Sequence, residues 1–150
     1  MDNITLDYTL KILNRRPYSV LEIERKLKRK NVSNMEIQKV ITYLKDSGYL
    51  DDEKYAYKLL FDISEFHPCG YFLIFSKLRG RGIPWEIVEK VLKENFDCDE
   101  EKKVCQKFIL KKKLGDLLAR DCRKLFQKLK FKGFRNEVIQ RVLSDHKISN

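Results

Sequence analysis

An internal repeat of 51 residues limits this chain to a fold built from similar units. The dipeptide Lys-Leu occurs at 26–27, 77–78 and 128–129, and the apolar positions around it keep the same spacing. These aligned positions are Ile23/Ile74/Leu125, Val32/Ile83/Phe134, Ile37/Val88/Ile139, Val40/Val91/Val142 and Ile41/Leu92/Leu143. A spacing kept through so many positions indicates repeated structural units that stack on one another.

A second echo indicates where the units begin. The stretch Asp51-Asp52-Glu53-Lys54 returns as Asp99-Glu100-Glu101-Lys102 at a spacing of 48. Three residues must therefore be inserted between this echo and the next Lys-Leu pair in the last unit. We accordingly place the units at residues 1–50, 51–97 and 98–150.

Each unit is predicted to contain three helices. In the middle unit Asp51 or Asp52 can cap a helix that runs to about Ser64, because acidic groups stabilise a helix N-terminus. Pro68 and Gly70 then break the pattern. The second helix has apolar residues at i, i+3, i+4 and i+7. They are Tyr71, Ile74, Phe75 and Leu78 in the middle unit, and Cys122, Leu125, Phe126 and Leu129 in the last.

Permissive residues are predicted to end each second helix, namely Asn31, Gly82 and Gly133. The third helix then begins at a Ser33-x-x-Glu36 capping box in the first unit and at Pro84 in the middle unit. Residues 71–75 are the one β-like stretch, and their partners in the other units are too polar for a strand. We predict an all-α fold of three tandem three-helix repeats that form an elongated, curved array.

The chain is strongly basic, and the excess is unevenly spread. Its 32 Lys and Arg residues against 22 Asp and Glu give a formal net charge of +10 at pH 7. Residues 1–50 carry +4, residues 51–97 carry −2 and residues 98–150 carry +8. Such a field attracts phosphate polymers or acidic protein faces, and charge alone leaves both open.

Stacking of the repeats would place equivalent basic residues in a row, which we name the basic edge. Its members are Lys26, Lys28 and Lys30, then Lys77, Arg79 and Arg81, then Lys128, Lys130 and Lys132. A periodic basic edge suits a partner with periodic acidic or phosphate groups. For any single member, the alternative to a partner contact is an ordinary charge on the solvent-exposed face of a helix.

Composition favours a folded cytoplasmic protein without a membrane partner. Hydrophobic residues make up 43% of the chain, too many for a disordered protein. The longest apolar run, Tyr71 to Phe75, is far shorter than the roughly 20 residues that span a bilayer. The four cysteines form no C-x-x-C pair and indicate reduced thiols. We expect a monomer.

Catalytic residues are hard to assemble from the sequence. His67 and His146 are the only histidines, and no nucleophile with a nearby base follows from the order of residues. His67-Pro68-Cys69 would need two further metal ligands from elsewhere. We expect neither an enzyme nor a metal site.

The sequence gives equally little support for a nuclease site or a nucleotide-binding site. The pair Asp51-Asp52 could hold a metal ion for phosphodiester cleavage, but its echo at Asp99-Glu100 favours a helix cap used twice. Arg79-Gly80-Arg81-Gly82 lacks the spacing of a nucleotide-binding phosphate loop. We therefore expect no cofactor.

Four blocks of the chain occur in a recognisable order. They are Ser19-x-x-Glu22-Ile23-x-x-Lys26-Leu27, then Gly48-Tyr49-Leu50-Asp51-Asp52-x-x-Tyr55-Ala56, then Gly70 with Ile74, Leu78 and Gly82-Ile83, and finally Lys132-Gly133-Phe134. Together they resemble the ordered motifs of the RecX family, regulators of the bacterial recombinase RecA. The resemblance runs from about Arg15 to Leu143, and Gly-Tyr-Leu-Asp-Asp is its most specific block.

This resemblance implies three tandem three-helix units that bind in the groove of the RecA–DNA filament. It also implies modulation, usually inhibition, of the ATPase, strand-exchange and co-protease activities of RecA in recombination, DNA repair and the SOS response. DNA itself is expected as a secondary, non-specific partner. As filament or DNA contacts we select the basic edge, and with it Arg15, Arg16, Lys111, Lys112 and Lys113.

The chain departs from the family after Gly70, where Tyr71-Phe72-Leu73 replaces the usual basic residues. Phe72 and Leu73 add apolar surface outside the core stripe. They are our candidates for direct contact with the recombinase, so changing both to Ser should weaken filament binding without altering thermal stability. The alternative is that they pack against a neighbouring unit.

A helix-turn-helix regulator that binds specific DNA sequences is the alternative function. Residues 19–52 superficially resemble a winged helix, in which Asn34, Gln38, Lys39 and Thr42 would read bases. Against it, no alternating wing strands follow, and the pattern recurs twice. The equivalent helix of the middle unit carries Trp85, Glu86 and Glu89, a poor surface for DNA.

Overall fold

The computed structural model describes residues 1–148, which are helical throughout apart from short connections. Ten helices and no strand form over that range. They are α1 (Asn3–Leu13), α2 (Val20–Arg29), α3 (Asn34–Asp46), α4 (Asp52–Phe66), α5 (Tyr71–Gly80), α6 (Trp85–Asn95), α7 (Cys98–Lys111), α8 (Gly115–Arg120), α9 (Cys122–Phe131) and α10 (Asn136–Ile148). We call α1–α3 unit 1, α4–α6 unit 2 and α7–α10 unit 3.

The predicted helix signals of the middle unit are confirmed. The Asp51 carboxylate accepts from the backbone N–H groups of Glu53 and Lys54 at 3.0 and 3.1 Å, so that α4 begins at its cap. After the second helices, Asn31, Gly82 and Gly133 have φ values of 59°, 80° and 85°. These left-handed residues turn the chain toward the third helix of each unit.

Two details of the units differ from the prediction. Ser33 caps α3 by accepting from the Glu36 N–H, but the Glu36 side chain instead accepts from the N–H of Asp2. A complete capping box is found at Ser19, whose backbone N–H donates to the Glu22 carboxylate. Unit 3 contains four helices, because the short α8 occupies its longer connection.

The repeat spacing predicts the cores well. All five aligned apolar positions are buried in the three units, except that Val32 is half-buried. Each fully buried Leu or Ile contributes about 1.5–3 kcal/mol relative to an exposed one. The buried residues form two clusters: one core belongs to unit 1 alone, and a single larger core runs through units 2 and 3.

The molecule has an extended surface. Its solvent-accessible area is 9561 Å², whereas a compact monomer of 18.0 kDa exposes about 8,000 Å². This excess agrees with the predicted elongated array. No helix within residues 1–148 is both long and apolar enough to cross a membrane.

Candidate functional site

The three second helices are joined end to end through two junctions. At the first junction the Ser19 hydroxyl, which caps α2, donates to the carbonyl of Arg81 at the end of α5, 2.5 Å away. At the second junction the N–H of Gly70, which precedes α5, donates to the carbonyl of Lys132 at the end of α9, 2.9 Å away. The helices therefore follow one another in the order α9, α5, α2.

A carboxylate from the next unit reinforces each junction. Asp52 accepts from the N–H of Val20 at 2.9 Å, and Glu101 accepts from the N–H of Tyr71 at the same distance. Val20 and Tyr71 are the first residues of α2 and α5. The two carboxylates thus have the same role at a spacing of 49, one residue more than the echo in the sequence suggests.

The electrostatics of these carboxylates differ. Burial raises the pKa of Asp52, and the hydrogen bond from Val20 only partly offsets it. Glu101 is completely buried and forms an ion pair with Arg135, which also donates its backbone N–H to Glu101 at 3.0 Å. Burial acts to lower the pKa of Arg135, but its hydrogen bond and charge interaction with Glu101 raise it overall.

The end-to-end order places the basic edge at three successive helix ends. Each second helix is about 15 Å long, and its basic residues lie in the last turn or at the C-cap. Lys28, Lys77 and Lys128 are exposed and form no side-chain hydrogen bond or ion pair within the described range. These three ammonium groups are therefore available to a partner.

Other members of the basic edge have internal contacts. Arg79 donates to the carbonyl of Ile83, Arg81 forms an ion pair with Glu22 at 3.7 Å, and Lys130 donates to Asn136. Three lysines lie near aromatic rings: Lys26 near Tyr18, Lys30 near Tyr8 and Lys132 near Phe108.

Three adjoining hollows form a basic groove beside the second junction. The first, of about 610 Å³, lies between α5 and the α9–α10 turn. The second, also about 610 Å³, lies between α9 and the end of α7, and the third, about 240 Å³, adjoins the α4–α5 loop. Phe131 lines the first two hollows, whereas Phe108, Lys112 and Lys132 line the last two.

The basic groove concentrates positive charge from several helices. Its basic lining residues are Lys77, Lys111, Lys112, Lys124, Lys128, Lys130, Lys132 and Arg135. Among the residues described, no Asp or Glu lines any of the three hollows. The field reaches Cys69, where burial raises the thiol pKa while the charges of Lys77 and Lys132 act to lower it. The charge of the groove is therefore complementary to that of an anionic polymer.

The additional basic candidates divide between the groove and the first junction. Lys112 lines the groove without a side-chain partner among residues 1–148, and Lys111 donates to the carbonyl of Phe66. Lys113 is exposed in a left-handed conformation with φ of 53° after α7. Arg15 is exposed before α2.

Arg16 has a local structural role. Its guanidinium donates to Glu22 at 3.3 Å and to the Tyr55 hydroxyl at 3.2 Å, and lies 3.6 Å from the Tyr18 ring centroid. Partial burial acts to lower the pKa of Arg16, but the hydrogen bond and the charge of Glu22 raise it overall. Arg16 thus helps to hold the first junction.

The two apolar candidates have different environments. Phe72 is 63% exposed and lines the first hollow. Leu73 is half-buried against unit 3, and a side chain added at Gly133 would approach its backbone nitrogen to 2.6 Å. Leu73 therefore packs against the neighbouring unit, and changing both residues to Ser is expected to disturb the junction as well.

The sequence analysis missed Lys124 and Phe131 in the groove. Both lie with Gln127 and Lys128 at i, i+3, i+4 and i+7, on a face of α9 that points away from its buried leucines. The spacing of this stripe is present in the sequence, but its residues are not repeated in the other units, so the repeat does not predict it. Phe131 has no counterpart, because Arg29 and Gly80 occupy the equivalent positions.

The residues that would read bases under the alternative helix-turn-helix hypothesis lie on the exposed face of one helix. Asn34, Gln38, Lys39 and Thr42 are exposed on α3, and Gln38 donates to Glu24 at 3.4 Å. The segment after α3 leads directly into α4, where a winged helix would have strands.

Within residues 1–148 no group of three His, Cys, Asp or Glu side chains is arranged to hold a metal ion.

Comparison with solved structures shows the same fold. A crystal structure of RecX from Lactobacillus salivarius superposes with a TM-score of 0.87 and 21% identity, covering 96% of this chain and 95% of that one. A second crystal structure, of regulatory protein RecX, gives a TM-score of 0.77 and 21% identity, covering 92% of this chain and 70% of that one.

Sequence relatives extend this likeness beyond the fold. Residues 6–44, which include most of α1 and nearly all of α3, match the family described as RecX, first three-helix domain. Regulatory protein RecX of Trichlorobacter lovleyi is 28% identical over 137 residues, 89% of each chain. Regulatory protein RecX of Prosthecochloris aestuarii is 32% identical over 147 residues, covering 91% of this chain and 94% of that protein. On this sequence similarity, the chain belongs to the RecX family.

Proposed function

We propose that this protein binds the RecA–DNA filament as a monomer and inhibits the ATPase, strand-exchange and co-protease activities of RecA. It would thereby regulate recombination and DNA repair. Membership of a family whose relatives are named regulatory proteins supports a regulator. The family name supports RecA as its target.

The end-to-end order of α9, α5 and α2 is the observation that carries the proposal. It brings Lys128, Lys77 and Lys28 to three successive helix ends, each exposed and without an internal partner in the described residues. A filament offers the same groups again at each subunit, so a row of equivalent charges can meet a row of equivalent sites.

The charge distribution supports contact at more than one place. Unit 3 supplies most of the groove's basic residues and has the largest basic excess, and unit 1 carries a second excess. The middle unit is slightly acidic overall, but Lys77 and Arg79 keep its second helix basic. An extended molecule with basic ends fits a long protein–DNA surface, with free DNA as the weaker partner.

Charge reversal along the edge tests this proposal. The variant Lys28→Glu/Lys77→Glu/Lys128→Glu should bind RecA filaments on single-stranded DNA more weakly, because it replaces three available cations by anions. We expect at least a tenfold loss in filament co-sedimentation, and a flatter dependence of affinity on salt concentration.

The matched control reverses three exposed lysines that lie elsewhere. Lys39→Glu/Lys54→Glu/Lys93→Glu has the same net charge but leaves the basic edge intact. Both variants should melt near the wild-type temperature. Equal losses in the two triple variants would mean that only net charge matters, and this result would refute the proposed role of the edge.

A further inference from the structure

Phe131 is an aromatic residue in an unusual position. Its side chain is 87% exposed at the end of α9, and it lines both larger hollows of the basic groove. The repeat provides an internal control, because units 1 and 2 form the same helix end with Arg29 and Gly80 at this position. The fold therefore does not require a large aromatic ring there.

The charges around Phe131 indicate which ligand could use it. Lys124 and Lys128 lie on its own helix face, and neither has a side-chain hydrogen bond or ion pair within the described range. Lys112 faces them from the end of α7 across the second hollow, also without such a partner there. A strongly anionic ligand that offers a flat face to the ring would use both features of this surface.

Single-stranded nucleic acid meets both conditions. Its phosphates can contact the lysines while an unstacked base lies on the aromatic ring, and proteins that bind single strands without sequence preference combine these two elements. A duplex has the same phosphates, but its base faces are covered by neighbouring bases. Lysines alone would not distinguish the two forms of DNA.

We propose that the basic groove binds single-stranded nucleic acid, with Phe131 as the platform on which one base stacks and Lys112, Lys124 and Lys128 as phosphate contacts. Phe131 is then the residue that makes the protein prefer single strands to duplexes. The proposal deepens the DNA component of the proposed function and does not depend on RecA.

Fluorescence anisotropy without recombinase tests this assignment. The probes are a labelled oligothymidylate of about 20 nucleotides, longer than a single stacking site requires, and a mixed-sequence duplex of the same length, both at low salt. Phe131→Ala should weaken binding of the single strand about tenfold, the effect of one lost base stack. Duplex binding should stay within about twofold.

Two further variants separate stacking from general effects. Phe131→Tyr keeps the ring and should bind the single strand like the wild type. Phe61→Ala removes another Phe that is 63% exposed, in a different hollow that contains Glu65 and Glu100, and should leave both affinities unchanged. Melting temperatures should agree for all variants, because both phenylalanines are exposed.

Three outcomes would overturn the proposal. They are an unchanged single-strand affinity in Phe131→Ala, an equal loss on duplex and single strand, and a wild type that binds neither probe or does not prefer the single strand. None of these outcomes would be evidence against binding to the RecA protein, because the recombinase is absent from the assay. The two proposals can therefore fail separately.

Discussion

The two junctions have the same topology but different construction. The first depends on a side-chain hydroxyl, that of Ser19, and on Glu22, whose partners Arg16 and Arg81 are 41% and 48% exposed. The second depends on backbone contacts made by Gly70 and on the buried carboxylate of Glu101. The ion pairs of the first junction are therefore partly exposed to water although Ser19 itself is buried, whereas the second junction is close-packed through the backbone.

The glycines explain why only the second junction merges two cores. A Cβ at Gly70 would lie 2.1 Å from the backbone nitrogen of Phe134, so the two backbone segments are in direct contact. Phe134 is thereby buried in a core that units 2 and 3 share, with its ring 5.8 Å from that of Phe108. At the first junction, a Cβ at Gly82 would meet only side-chain atoms.

This difference matters for function because the basic groove is built on the close-packed junction. Its lysines come from α5, α7 and α9, which are held together by the shared core. Unit 1 has its own core and a polar attachment, so its lysines can move more easily relative to the groove. We expect the second junction to fix the binding geometry and the first to adjust it.

The largest effect is expected from Gly70→Ala. The added methyl group would overlap the backbone at Gly133 and Phe134, which can yield only by separating units 2 and 3. We expect a loss of more than about 4 kcal/mol in the free energy of unfolding, measured with urea. Gly80→Ala is the control, because a Cβ there meets nothing within 4 Å, and it should stabilise the helix by up to about 1 kcal/mol.

The next largest effect is expected from Glu101→Gln. The amide would leave Arg135 half-buried without its counter-charge, and breaking such a pair costs about 3 kcal/mol. Glu22→Gln at the first junction should cost less than about 1 kcal/mol, since its partners are exposed and Gln still completes the capping box. Similar losses in thermal or urea unfolding would contradict the contrast between the junctions.

The smallest effect concerns Asp52 and depends on pH. Because burial raises the pKa of Asp52 in the folded state, the folded protein holds this proton more tightly than the unfolded chain. The contribution of Asp52 to stability therefore falls as pH rises from the ordinary aspartate pKa through the raised one. Asp52→Asn keeps an acceptor for Val20 without the charge, so its stability relative to wild type should rise over that range.

Urea unfolding of Asp52→Asn and the wild type at a series of pH values measures this trend. The difference in unfolding free energy should be smallest at acid pH and should favour the variant at neutral pH. A difference that favours the wild type increasingly as pH rises would mean that the Asp52 charge stabilises the first junction.

Local patterns in the sequence were sufficient to predict the helical fold and most of the buried core positions. Periodic apolar residues such as Ile74 and Leu78 occupy the same face in every turn, and Gly82 ends its helix by its own conformational freedom. The basic edge followed from the same periodicity, because Lys77 lies at a fixed distance from those core residues. These features depend on residues that are close in the chain.

The junctions could not be predicted because their partners are distant in the chain. Ser19 and Arg81 are 62 residues apart, and Glu101 resembled an ordinary acidic residue in the first turn of a helix. Glu101 can be buried because it pairs with Arg135, which directly precedes α10 and lies 34 residues further along the chain. The groove was missed for the same reason: Lys112 and Lys124 become neighbours only when α7 and α9 pack together.

The most direct test of the account is ATP hydrolysis by RecA on single-stranded DNA. The protein should be added in substoichiometric amounts, beside the Lys28→Glu/Lys77→Glu/Lys128→Glu variant and its matched control. The account predicts that wild type and control reduce the hydrolysis rate and that the basic-edge variant does so only at much higher concentration. An unchanged rate with wild-type protein that is bound to the filament would contradict it.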